Sequence, residues 1–157
     1  MSAHASAQID ATEYLHTMQT LGVVEGIATA PAVPHLSDTD LDRAAAINDR
    51  LRGLLDNFDP YLFTRINEQF HSALFEPCPN PHILDLACRG WTRMSGLHTS
   101  TFVPDRARKS VDEHDRIIEL IRRRADPFEI ELAARQHRWR TMNAYLGQNS
   151  PETPTAD

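Results

Sequence analysis

The stretch Asp59-Pro60-Tyr61-Leu62-Phe63-Thr64-Arg65-Ile66-Asn67-Glu68-Gln69-Phe70-His71-Ser72-Ala73-Leu74-Phe75 decides the fold class. Pro60 stands in the first turn, where a helix tolerates proline. Leu62, Ile66, Phe70 and Leu74 then recur every four residues, drawing one apolar stripe down an α-helix. Asn67 and His71 are also four apart, so both project from one face about a turn from each other.

Outward from this segment the punctuation repeats. Breakers at Pro31-Ala32-Val33-Pro34, Asn57-Phe58-Asp59-Pro60, Pro77-Cys78-Pro79-Asn80-Pro81, Val103-Pro104-Asp105 and Asp126-Pro127 cut the chain into six segments of mostly helical length. The first, Ala11 to Ala30, carries Tyr14, Met18, Leu21 and Ile27, with Gly22 and Gly26 either weakening it or admitting a close neighbour. The second starts at an N-cap, Ser37 or Asp38, and spaces Leu41, Ala44, Ile47, Leu51, Leu54 and Phe58 by threes and fours.

The fourth runs from Pro81 through Ile83, Leu84, Ala87, Trp91 and Met94, fraying near Gly96 before the β-branched run Thr99 to Val103. The fifth holds Val111, His114, Ile117, Ile118 and Ile121, and the sixth holds Phe128, Ile130, Ala133, Ala134, His137, Ala144 and Tyr145. No segment alternates with period two for long enough to read as a strand. The expectation is an all-α antiparallel bundle of six or seven helices at residues 9–147, with polar tails at 1–8 and 148–157.

Bulk properties narrow the function. At 157 residues the chain is one domain, and 41% apolar with 24% charged residues is the profile of a folded soluble protein. A net charge of -6 lacks the basic field that collects nucleic-acid phosphates. The cationic run Arg122-Arg123-Arg124 closes an apolar-periodic segment, where it complements the carbonyl end of a helix. Two cysteines without CxxC spacing suggest neither a disulfide framework nor a thiolate zinc site, and suit a reducing cytosol. No signal-like start and no run of 18 apolar residues is present, so the expectation is a cytoplasmic protein with no membrane partner.

Three histidines remain to be explained. His71, His114 and His137 each lie on or beside the apolar stripe of a different helix. One reading is three hydrogen-bonded core histidines; the other is a divalent cation that uses all three lone pairs, with Asn67 as an oxygen ligand. His4, His16, His35, His82 and His98 read as surface or packing residues.

The order Asn67-x-x-Phe70-His71, then Asn80-Pro81, then Ser110-x-x-Glu113-His114, then an Asp126-led helix reaching His137 resembles the FCD domain. That is the C-terminal effector-binding domain of one branch of GntR-family bacterial transcription regulators. Val24-Glu25-Gly26-Ile27-Ala28 fits the family's early Leu-Glu-x-x-Ala pattern, and the likeness spans about Glu13 to Leu146. The resemblance implies a helical bundle around a central cavity in which an Asp and three His hold a divalent metal, with a small organic acid beside or on it.

Carried over, the histidines are His71, His114 and His137, and the Asp position is Asn67, whose amide oxygen can ligate but brings no negative charge. Leu21 stands where the family often has an arginine four residues before the first-helix glutamate, which leaves Arg93 on the fourth segment as the candidate effector anchor.

The resemblance therefore implies a non-enzymatic ligand-sensing domain with a Zn, Ni or Mn ion, a small carboxylate effector and a homodimeric assembly. DNA would be reached only through a winged helix-turn-helix that is not in this chain. Two rivals stand beside it: a metal-independent helical dimerisation module, and a metal-dependent enzyme with Glu113 as base. The second suffers because Glu113 adjoins His114 on a helix and so points about 100° away from it.

Overall fold

The computed structural model describes residues 10–97 and 102–148. Six α-helices make up the fold among them: α1 (Ala11–Ala32), α2 (Asp38–Gly53), α3 (Pro60–Phe75), α4 (Pro81–Gly96), α5 (Pro104–Arg122) and α6 (Pro127–Gln148), with a short 3₁₀ turn at Val33–His35 after α1. The expected polar ends at 1–8 and 149–157, and residues 99–101 of the β-branched run, lie outside the described residues. Gln148, assigned to the tail from sequence, closes α6.

Short polar residues set the helix starts. Asp10, Asp59 and Asn80 accept from the first backbone amides of α1, α3 and α4, and Ser37 and Asp40 form a reciprocal capping box on α2. Proline then occupies the first turn of α3, α4, α5 and α6, where its missing donor costs nothing. At the far end of α5 the chain turns at Arg124, the one non-glycine with positive φ (55°) among the described residues, with Ala125 N–H donating back to Leu120 O at 3.0 Å. The cationic run is tied into this turn: Arg122 pairs with Asp42, Arg123 with Glu129, and Arg124 reaches Val33 O.

Three sequence expectations are corrected here. The breaker at Pro31 does not end α1, which continues to Ala32, because a proline at the penultimate position removes a single amide donor from the last turn. Leu62 is 40% exposed and Phe63 takes the buried place, so the α3 stripe is Phe63, Ile66, Phe70 and Leu74. Phe128 is 80% exposed: the buried face of α6 is set by Ile130, Ala134, His137, Arg138, Thr141 and Met142, and Phe128 precedes it on another side.

The bundle is organised by α1, which packs most extensively against α6 and also against α4 and α3. Gly26 makes the α1–α6 approach possible, since a Cβ there would come within 2.8 Å of the Glu131 carbonyl oxygen. One apolar cluster fills the space between α2, α3 and α5, a second joins α1, α3 and α4 around Trp91, and a third joins the start of α1 to the end of α6. The three histidines sit where α3, α5 and α6 converge.

Candidate metal centre

The i, i+4 and i, i+7 registers that bury Val111, Ile118 and Ile121 on α5 also bury His114, and those that bury Ile130 and Ala134 on α6 bury His137. His71 follows Phe70 on the inner face of α3. Exposure is 5% for His71, 0% for His114 and 1% for His137. Phe70 stacks on the His114 ring at 3.9 Å between centroids, and Trp91 faces His71 at 5.8 Å.

The rings meet through the same atom. Nε2 of His137 lies 3.1 Å from Nε2 of His114 and 3.3 Å from Nε2 of His71, and one nitrogen from each ring falls within 4.8 Å of the others. Their outer nitrogens say where the protons are. Asn48 donates its amide to Val111 O (3.0 Å) and Asp115 Oδ1 (2.8 Å), so its Oδ1 must accept from Nδ1 of His114 at 2.9 Å. Glu113 Oε2, a carboxylate oxygen, accepts from Nδ1 of His137 at 2.7 Å. Both neutral rings thus carry their proton on Nδ1, and their Nε2 lone pairs face each other with no proton between them; the Ser110 hydroxyl lies 3.4 Å from His114 Nε2. Nδ1 of His71 faces a carboxylate, Glu25 Oε2, at 4.0 Å, beyond hydrogen-bond distance, so its tautomer is not fixed in the same way.

Protonation is not an escape from this arrangement. Burial pushes His71 and His114 well below the usual imidazole range, and the neighbouring Arg138 guanidinium and the other histidines reinforce the shift. Burial likewise outweighs the Glu113 hydrogen bond and takes His137 down to about 4. Neutral imidazoles with inward lone pairs are a donor set for a cation.

Asn67 adds a second observation. It is 0% exposed, one turn before His71 on α3, and neither its amide oxygen nor its amide nitrogen has a hydrogen-bond partner among the described residues. An orphaned buried polar group costs roughly 1–3 kcal/mol, and an ion ligated at the amide oxygen would offset the acceptor's share of that. The residues present therefore fit a divalent ion.

A family model for the FCD domain matches residues 16–138. The chain belongs to the FCD family. The match spans Asn67 and all three histidines, and it identifies the bundle as the effector-binding type of domain found in GntR-family transcription regulators. A comparison with curated proteins gave no match.

In this FCD domain the histidines are surrounded by charged groups whose partners motif reading did not assign. Glu113 does not serve His114, its neighbour on α5. It crosses to His137 on α6 and is gripped by Arg106 through two bonds of 2.7 and 2.8 Å. Burial alone would raise Glu113, but hydrogen bonds from His137 and Arg106 outweigh it and hold the carboxyl at about 2. Arg138, adjacent to His137, is buried against Glu25 at 3.1–3.2 Å and lies 4.5 Å over the Trp91 ring. Burial, despite Arg138, raises Glu25 above the ordinary carboxylate value.

The available signals were polar residues in apolar registers: Asn48 inside the α2 stripe and Glu25 inside Val23-Val24-Glu25-Gly26-Ile27. Arg93, the sequence candidate for an effector anchor, is exposed. It lines a groove of about 310 Å³ between α1 and α4 with His16, Thr17 and Arg89, a groove to which none of the three histidines contributes.

Proposed function

We propose that this chain is the ligand-sensing domain of a GntR-family transcription regulator, with His71, His114, His137 and Asn67 holding a divalent cation on which a small organic acid binds. The observation that supports it is the pair of opposed, unprotonated Nε2 atoms 3.1 Å apart in His114 and His137. Without a cation those lone pairs have only long contacts to draw on, the Ser110 hydroxyl at 3.4 Å from His114 Nε2 and His71 Nε2 at 3.3 Å from His137 Nε2, whereas a cation between the rings would make every inward lone pair attractive. A cation held by these residues would supply a Lewis-acidic point for oxygens of the effector.

The residues of the chain do the rest. Asn48 and Glu113 hold the His114 and His137 rings in the ligating tautomer, Phe70 packs flat on His114, and Trp91 with Leu21 and Phe75 shields the α4 side from water. Because the ligands come from α3, α5 and α6, filling the site changes how those helices pack. In a dimeric cytoplasmic regulator that change would be read as the spacing of winged helix-turn-helix heads on DNA. No helix among the described residues is long and apolar enough to cross a membrane.

The enzyme reading is weaker on a specific ground. A carboxyl held at about 2 and saturated by Arg106 and His137, as Glu113 is, makes a poor general base. Elemental analysis of the purified protein tests the proposal, with near-stoichiometric Zn, Ni or Mn expected. His114→Ala should lose both the metal and the accompanying thermal stabilisation, whereas a metal-free native protein whose melting ignores added cations and chelator would leave three structural histidines instead.

A further inference from the structure

The four prospective donors, His71, His114, His137 and Asn67, are all neutral. The acids nearest to them are already spoken for. Glu113 is bound bidentately by Arg106 (5% exposed), Glu25 is bound by Arg138 (2% exposed), and Asp115 behind Asn48 is paired with Arg52. Each of these carboxylates is thus already met by arginine, Glu113 by Arg140 at 3.7 Å as well as by Arg106, and none is left over to balance an incoming cation.

A divalent ion entering this place brings two positive charges into a region where the ligating histidines are at most 5% exposed. The solvation lost amounts to several kcal/mol per ion, and neutral imidazoles return only part of it. An aspartate at residue 67 would supply one counter-charge, but the chain has an amide there, buried and unpartnered.

We propose that cation and carboxylate bind this centre as a mutually dependent pair, the incoming acid furnishing the anionic ligand that Asn67 does not provide. This rests on the metal reading above. The domain then answers to an organic acid only while the cation is available, and it takes up the cation firmly only in the presence of the acid. Linkage requires the two effects to be equal: the factor by which acetate raises Zn²⁺ affinity is the factor by which Zn²⁺ raises acetate affinity.

The test is Zn²⁺ affinity at buffered free metal, in chloride alone and with acetate or succinate, corrected for their weak complexes with the free ion. Acetate is the smallest probe that any carboxylate site must admit. Wild type should bind Zn²⁺ about 5- to 150-fold more tightly with acid present, the span of ordinary site-to-site coupling. Asn67→Asp should bind Zn²⁺ tightly without acid, and its acid effect should shrink to about twofold or less. Equal Zn²⁺ affinity of the wild type with and without both acids overturns the coupling and leaves the metal centre standing. No Zn²⁺ binding by either protein under any condition overturns the metal reading itself. If Asn67→Asp does not fold, the wild-type comparison alone decides.

Discussion

Glu113 and His137 meet at 2.7 Å across the seam between α5 and α6, 24 residues apart in sequence, and this bond determines which nitrogen of His137 faces the centre. Removing the acceptor frees the ring to flip or change tautomer. Glu113→Ala is expected to weaken metal binding about 10- to 100-fold, the usual effect of losing an outer-sphere partner. It should also cost about 1–3 kcal/mol of stability, because Arg106 loses its partner in a buried place. Calorimetric metal titration and urea unfolding measure the two; an unchanged affinity would show that Glu113 does not orient His137.

Acid should destabilise the metal-free protein through its histidines. The folded chain keeps His137 neutral down to about 4, whereas the unfolded ring takes a proton near 6.5. The group's folded value is depressed, so its contribution is fully present above 6.5 and is lost as pH falls from there toward 4. His71 and His114, lowered further, extend the loss in the same direction. His137 alone contributes a slope of about 1.4 kcal/mol per pH unit inside the window. Melting of chelator-treated protein from pH 7.5 to 4.5 should fall steadily, and a flat profile would mean that these rings are protonated or exposed in the fold.

Buried charge beside His71 gives a double-variant prediction. Arg138→Met leaves Glu25 uncompensated at 1% exposure and should cost about 3–5 kcal/mol. Adding Glu25→Leu removes the stranded acid and should recover most of that loss, since an apolar pair of similar bulk replaces buried ion pairs at little cost. Denaturant unfolding of the four proteins completes the cycle, and additive losses would show that the two side chains do not interact energetically.

Helix packing gives a paired prediction. Gly26→Ala forces a Cβ to within 2.8 Å of the Glu131 carbonyl oxygen, a backbone atom that cannot step aside, and should cost about 1–3 kcal/mol. Gly53→Ala, at the end of α2 with nothing within 4 Å of its new methyl, should be neutral or stabilising by up to about 1 kcal/mol. Thermal melts distinguish them, and equal shifts would mean that α1 and α6 are not in close contact.

Helix number, helix starts and the inward direction of His71, His114 and His137 were legible in the chain, because capping groups, first-turn prolines and the 3.6-residue period are local properties. Where local signals were thin the sequence reading slipped. Leu62 and Phe63 are adjacent apolar residues at the margin of the α3 stripe, and only the presence of a neighbour made Phe63 the buried one. Pro31 looked like a stop, yet a terminal helical turn can do without its donor. For Arg93 the sequence offered only its place on the fourth helix, and it was the packing of α4 against α1 that set it in an exposed groove apart from the histidines.

The sequence by itself determined an all-α chain carrying three inward imidazoles on three helices, together with the amide of Asn67 at the place of an acid. Tertiary structure alone decided that those rings share one point, that Glu113 serves His137 and not its neighbour His114, and that Arg138 neutralises Glu25. The division has a physical reason: periodicity and capping act within a few residues, whereas tautomers and charge balance depend on partners 23 to 113 residues away, brought together only when the helices pack.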